Sequence, residues 1–420
     1  MTIESHFQSY NSTISKLASC NFKLLCIFVS DIKTNMTINR EVSKAIYFML
    51  EKYPVIALTG PRQSGKTTLL KSILPGYEYV SLENPDNRYF AKSDPNGFLK
   101  KYSSSVIIDE VQQVPSLFSY IQTIVDESGL MGQFVLSGSQ NFHLMQNISQ
   151  SLAGRVAIFK LFPFDNQELK SANFLNPDYL LNLVRGFYPA IYDRDIPSTD
   201  FYSNYVQTYV QRDLSQLIAV KDLRVFRKFL GLCASRAGQL LNMNSLAVEC
   251  GISQPTVKSW ISVLEHSYII FILQPFHENF SKRIVKTPKL YFYDTGLLCH
   301  LLKIRHHDQL PAHPFKGFLF ENMMMAEYVK RMYHKNELKD ITFWRDSSGN
   351  EVDLIVQDGL KLYLTEFKST QTVMPDLFKG FRYFEQHSKR KNLVKTLVYT
   401  GTDSQKRTDA DILSWNEFGI

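Results

Sequence analysis

With 420 residues, 44% of them hydrophobic and 21% charged, the chain is too long for one ordinary core and too evenly composed for a fibrous or disordered protein. Its formal charge of +7 is compatible with nucleic acid or an acidic partner and demands neither. No run approaches the roughly 18 apolar residues of a membrane span, so no membrane partner is expected; the five cysteines (Cys20, Cys26, Cys233, Cys250, Cys299) form no C-x-x-C pair and read as buried thiols of a cytoplasmic protein.

Residues 1–35 are polar, apart from a short apolar run at 24–29, and offer no partner segment. Met36 opens a second plausible start, so they read as a loosely attached extension. Apolar residues at Val42, Ile46, Phe48 and Leu50 then give residues 40–53 the spacing of an amphipathic helix. Strand-like and helical runs alternate from there. Val55-Ile56-Ala57-Leu58 is a buried strand, residues 67–73 a helix, 77–82 a strand and 94–101 a helix. Val106-Ile107-Ile108 is the next strand, and residues 116–127 a helix with Leu117, Ile121, Ile124 and Val125 apolar. Phe134-Val135-Leu136, a helix over 142–152 and a strand over 156–159 complete the set. Such alternation predicts an α/β domain over residues 36–165, with a parallel sheet covered on both faces. Residues 166–240 turn helical, 241–310 read as a helix-turn-helix with a hairpin, and 311–420 return to a helix followed by strands.

The spacing G-x-x-x-x-G-K-[ST] is met by Gly60, Pro61, Arg62, Gln63, Ser64, Gly65, Lys66 and Thr67, after a strand and opening a helix. Its backbone N–H groups turn inward around phosphate oxygens, with a helix N-terminus aimed at them. Gly60 and Gly65 permit the dihedrals, Lys66 reaches the β/γ-phosphates, and Thr67 places a hydroxyl on Mg²⁺. Asp109 and Glu110 end the strand that supplies the second half. Asp109 would hold the Mg²⁺ shell, and Glu110 would orient or deprotonate the attacking water. ATP and Mg²⁺ are therefore the expected cofactors. One strand lies in sequence between the two motif strands, and glutamate directly after aspartate points to an ATPase rather than a kinase or GTPase. Ser139 or Gln140, ending the next strand, is a candidate contact to the γ-phosphate and the water. Arg155 and Arg212 are candidates for stabilising transition-state charge in cis or in trans, against a plainer reading as structural salt bridges.

Gly251 supplies the turn of the helix-turn-helix, Ser253 caps its second helix, and Pro255 sits in the first turn. Val257, Trp260, Ile261 and Leu264 make the inner face. Strand-like residues 268–273 and 289–293 extend it to a winged helix. That leaves Gln254, Thr256, Lys258 and Ser259 to face DNA, and Lys282, Arg283, Lys286 and Lys289 to line phosphates. The alternative is a lid or protein-contact module.

From about residue 36 to the end, the chain resembles a prokaryotic family of AAA-like ATPases with an attached C-terminal domain of unknown function. The matching strings are the P-loop from Leu58 through Thr68, Ile108-Asp109-Glu110-Val111-Gln112, Ser137-Gly138-Ser139-Gln140, Leu152-Ala153-Gly154-Arg155 and Tyr209-Val210-Gln211-Arg212-Asp213. Lys289-Leu290-Tyr291-Phe292-Tyr293-Asp294-Thr295-Gly296-Leu297 and Gly317-Phe318-Leu319-Phe320-Glu321-Asn322 continue the likeness. Gly186-Phe187-Tyr188-Pro189 departs slightly, because the family more often has a glycine pair there. The resemblance adds Thr68 to the nucleotide site and implies a restriction-endonuclease-like α/β fold for residues 311–420. Asp353 and Glu366, with Glu321 on the preceding helix as a further candidate, would then hold Mg²⁺ beside Lys368 and cleave a phosphodiester, or in a degraded version serve only as a DNA-binding or docking domain. Alternation puts Glu366 and Lys368 on one strand face. The expected function is an ATP-hydrolysing switch or motor acting on nucleic acid; an ATP-dependent regulator docking a protein partner is the alternative. A homo-oligomer stays open.

Overall fold

The structure, a computed structural model, describes residues 38–103, 105–139, 148, 151–213, 222–276 and 285–419, the side chains of 211–213 excepted. The expected extension over 1–35, most of the helix expected over 142–152, and Gln140, Lys282 and Arg283 lie outside the described residues.

Short apolar runs punctuated by helical stretches build the first sheet. In chain order its elements are α1 (Val42–Leu50), β1 (Val55–Thr59), α2 (Lys66–Ile73), β2 (Glu78–Ser81), α3 (Pro85–Ser93), α4 (Pro95–Lys101), β3 (Val106–Asp109), α5 (Leu117–Ser128), β4 (Phe134–Gly138) and β5 (Val156–Lys160). The strand order is β2-β3-β4-β1-β5, with every pair parallel. Period-two alternation sends Val55 and Ala57 into one apolar layer with Phe98, Leu117 and Ile121, and Ile56 and Leu58 into the other with Val42, Ile46 and Leu70. Helix α3 was not expected from the sequence, although its signal is there: the Asn84 side chain accepts the Asp86 and Asn87 N–H groups, and Pro85 opens the first turn.

A helical region follows, comprising α6 (Asn166–Ser171), α7 (Tyr179–Arg185), α8 (Pro189–Asp193), α9 (Ser198–Tyr205), a π-helical continuation over Val206–Asp213, and α10 (Leu223–Ala234). Next come α11 (Met243–Cys250) and α12 (Gln254–His266), joined through Gly251 at φ 69°. Trp260 of α12 packs edge-on against Phe226 and Phe229 of α10. The antiparallel pair β6 (Ile270–Leu273) and β7 (Lys289–Phe292) leads into α13 (Thr295–Leu301).

The last region opens with α14 (Lys316–His334), followed by β8 (Asp340–Arg345), β9 (Glu351–Asp358), β10 (Lys361–Lys368), α15 (Lys379–His387), β11 (Leu393–Tyr399), β12 (Gln405–Lys406) and β13 (Asp411–Ser414). Strands β8, β9 and β10 form an antiparallel meander, and β11 and β13 extend it in parallel. Val352, Leu364, Phe381, Phe384, Leu397 and Ile412 are among its core residues. From Asn39 on, the described residues form one compact unit. Among the described residues no helix is long and apolar enough to cross a membrane.

Candidate functional site

Strand β1 is buried along its whole length, and the chain leaves its C-terminal end through a loop of unusual dihedrals. Gly60 sits at φ 151°, Gln63 at 63° and Gly65 at 92°. A Cβ on Gly60 would collide with the Leu161 carbonyl, so sterics as well as dihedral freedom call for glycine there. The Lys66 amine, 7% exposed, donates to the carbonyls of Gly60 and Pro61 at 2.9 Å each. Burial pushes its pKa down to about 8, against the opposing pull of Glu110 and Asp109. Because β3 is separated from β1 only by β4, Asp109 comes up at the same sheet edge as the loop.

Asp109 is the hub of the site. Thr67 Oγ1 donates to its Oδ2 at 2.8 Å and the Tyr79 hydroxyl at 2.9 Å, while Ser137 Oγ donates to Oδ1. Glu110, left-handed at φ 53°, accepts from the Gln112 amide and, at 3.2 Å, from Ser139 Oγ. Burial raises the Glu110 pKa, with Lys66 opposing. The arrangement thus gathers a cation, a hydroxyl and two carboxylates over a loop that a helix N-terminus follows.

Two sequence candidates lie elsewhere. Arg155 immediately precedes β5, whose first residue Val156 pairs with Val55 at the start of β1. It therefore occupies the opposite end of the sheet from Gly60, where it forms an exposed fork with Asp126, Nη2 to Oδ2 at 2.8 Å. A role in cis at this chain's own P-loop is corrected by that strand polarity. The Arg212 side chain lies outside the described residues, although its motif neighbour Tyr209 packs under the Arg62 guanidinium at 5.5 Å. Two further residues support the site without any motif to announce them. Arg40 donates to the Ser64 carbonyl at 3.0 Å, and the Tyr268 hydroxyl meets Thr59 Oγ1 at 2.7 Å, linking β1 to the segment entering β6.

In the C-terminal sheet, Asp353 of β9 and Glu366 and Lys368 of β10 converge. The Lys368 amine lies 3.4 Å from Asp353 Oδ2 and pairs with Glu366, and the Phe367 N–H donates to Asp353 at 2.8 Å. Glu321 of α14 joins them: its carboxylate and those of Glu351 and Asp353 offer oxygens all within 4.8 Å of one another. Glu351 was not anticipated, and neither was Lys289. Expected to line phosphates, Lys289 is instead 1% exposed and bridges Glu321, at 2.9 Å, and Glu351. The correction follows from strand parity, since Lys289 and Tyr291 share the β7 face that meets Glu321, to which the Tyr291 hydroxyl donates at 2.6 Å. Burial raises Glu366 well above the ordinary carboxylate range and lifts Glu321 to about 7, with Lys289 opposing the latter. Burial also raises Asp353, but Lys368, Lys289 and the Phe367 N–H outweigh it and hold that group low. On α12, Gln254, Lys258 and Ser259 are exposed, whereas the Thr256 hydroxyl is taken by Ser253 at 2.8 Å.

Residues 52–170 match a family model described as an AAA domain. Residues 176–308 and 316–418 match models described as domains of unknown function, DUF8612 and DUF4143. Over 346 residues the chain is 30% identical to Uncharacterized protein Rv2008c of Mycobacterium tuberculosis, and equally to Uncharacterized protein Mb2031c of Mycobacterium bovis. Each alignment covers 82% of this chain and 76% of the relative. Among solved structures, the Walker-type ATPase PABY2304 of Pyrococcus abyssi is similar at TM-score 0.38 and 16% identity, over 62% of this chain and 94% of its own. AMPPCP-bound DnaA from Aquifex aeolicus is similar at TM-score 0.24 and 16% identity, over 53% and 85%.

Proposed function

This chain belongs to the family of Uncharacterized protein Rv2008c and carries an AAA-class, ATP-binding P-loop domain, and from that premise we propose that it hydrolyses ATP and uses the cycle to switch its hold on nucleic acid. The observation that carries the hydrolytic reading is the meeting of Thr67 and Asp109 at 2.8 Å beside Lys66 and Glu110. A hydroxyl and a carboxylate so close form a donor set that fits a hard divalent cation. Thr67 and Asp109 would hold Mg²⁺, which would supply charge neutralisation to the phosphates. Lys66 binds the β/γ-phosphates, Glu110 takes the proton of the attacking water, and Ser139 fixes the Glu110 carboxylate.

Support for nucleic acid comes from the exposed Gln254, Lys258 and Ser259 of α12 and the exposed Arg224 and Lys228 of α10, which we read as the DNA-facing side of a winged helix. The C-terminal acids then read as a restriction-endonuclease-like site. One observation favours gripping over cutting: three cations, Lys289, Lys368 and Arg345, already pair with the four acids Glu321, Glu351, Asp353 and Glu366.

The test is the ATPase rate of the full chain with and without DNA, at several salt concentrations. Hydrolysis that Glu110→Gln removes, and that DNA accelerates less as salt rises, is the expected result. Hydrolysis indifferent to DNA at every salt concentration returns the chain to the protein-docking alternative.

A further inference from the structure

We propose that Arg40 is a positioning residue of the nucleotide site and that helix α14 sets it through His334, Asp165 and Glu168, so that the C-terminal region tunes how the P-loop takes nucleotide. The inference rests on the P-loop reading above.

Arg40 is 7% exposed and uses its whole fork. Nη1 donates to the Ser64 carbonyl at 3.0 Å, Nη2 to the Phe162 carbonyl at 2.5 Å, and Nε to Glu168 Oε1 at 3.0 Å, with the guanidinium 4.7 Å above the Phe164 ring. A peptide group is planar and trans, so anchoring the Ser64 carbonyl commits the Gly65 N–H to the side away from Arg40, as a P-loop needs in order to present its amides to phosphate. Arg40 therefore acts on the ligand through the backbone, without touching it.

Helix α14 grips the other half of the same support. His334 is fully buried, and its Nε2 accepts the Phe162 N–H at 3.2 Å. The ring proton therefore sits on Nδ1, which donates to Asp165 at 2.8 Å and lies 3.7 Å from Glu168. Phe162 is thus held on both sides of its backbone, by His334 at N–H and by Arg40 at C=O. Its neighbour Leu161 lies against Gly60 and donates its N–H to the Thr59 carbonyl at 2.8 Å. The segment consequently touches the P-loop near both ends, directly at Gly60 and through Arg40 at Ser64. Two more buried contacts fix the helix to it: Glu327 accepts the Asn166 N–H at 2.9 Å, and the Lys330 amine donates to the Phe164 carbonyl at 2.6 Å. Satisfied polar networks of this kind specify one arrangement and transmit displacement.

The experiment uses the full chain with ATP as the probe. Arg40→Lys keeps the charge and loses the fork. His334→Asn keeps an N–H for Asp165 and loses the acceptor for Phe162. Each variant should raise the KM and Kd for ATP, by about five- to tenfold for the loss of a hydrogen bond of this kind, while kcat changes little. Because the two residues hold one segment, the double variant should bind ATP no more weakly than Arg40→Lys alone. Parental affinity in His334→Asn, or strictly additive losses, would overturn the role of α14. Should His334→Asn fail to fold, parental affinity in Arg40→Lys overturns the proposal by itself. An unmodified chain that binds no ATP instead overturns the P-loop reading beneath it.

Discussion

Thr67 Oγ1 donates a 2.8 Å hydrogen bond to Oδ2 of Asp109, joining the first turn of α2 to the end of β3 across the intervening β4. Thr67→Val preserves the shape of the side chain and removes the hydroxyl. The fold should persist, and Mg²⁺-dependent turnover should fall at least about tenfold, in line with the ~1.5–3 kcal/mol of a hydrogen bond to a charged group. Steady-state kinetics across a Mg²⁺ titration measures this, and unchanged Mg²⁺ dependence would remove Thr67 from the metal shell.

Lys66 carries the clearest pH signature. Its folded pKa of about 8 lies below the ordinary lysine value of 10.5, so folding disfavours the charged form. Without nucleotide, that cost is present below pH 8, and stability should rise as pH climbs from about 8 to 10.5. Nucleotide reverses the preference, because phosphate recruits the ammonium. At pH 9, ATP binding should therefore take up close to about one proton, which calorimetry in buffers of different ionisation enthalpy can count. Lys66→Ala should abolish binding; retained affinity would dismiss the P-loop.

Glu110 must be ionised to act as a base, and burial raises its pKa above the ordinary 4.5. Turnover should consequently fall on the acid side at a higher pH than an exposed glutamate would give. Glu110→Gln should keep ATP binding, lose turnover by roughly 10²-fold or more and lose that acid limb. An acid limb that survives in the variant assigns it to another group.

Removing the Lys289 ammonium leaves Glu321 and Glu351 facing each other without their shared cation. Lys289→Met should cost roughly 3–5 kcal/mol of stability, the usual penalty for stripping one partner from a buried ion pair. Adding Glu321→Gln should recover part of the loss. Urea melts of the single and double variants read both effects, and a neutral Lys289→Met would mean that the acids are not charged together.

The P-loop and the Asp109-Glu110 pair were legible because their chemistry is local: a strand, a fixed spacing and a helix suffice. Arg155 was partly legible, since a residue just before a parallel strand must lie at the sheet edge opposite the loops that follow the strands. Arg40 was not. It stands 24 residues before Ser64 with no motif around it, and its role emerges only when Phe162 and Glu168 are brought alongside. Lys289 misled because a lysine in a hairpin ordinarily reads as solvated. Only its pairing opposite Glu321 reveals a buried charge that solvent does not satisfy.

Helix α14 has a consequence for how this protein can be divided. Three family models succeed one another between residues 52 and 418, with a boundary just before Lys316. A fragment ending at that boundary would keep every nucleotide motif. It would also strip Asp165 of His334, Asn166 of Glu327 and Phe164 of Lys330, leaving buried polar groups to find water or collapse. The seams of the sequence and the seams of the folded molecule therefore do not coincide: the wall behind the nucleotide loop is built by a helix that belongs, by sequence, to another domain.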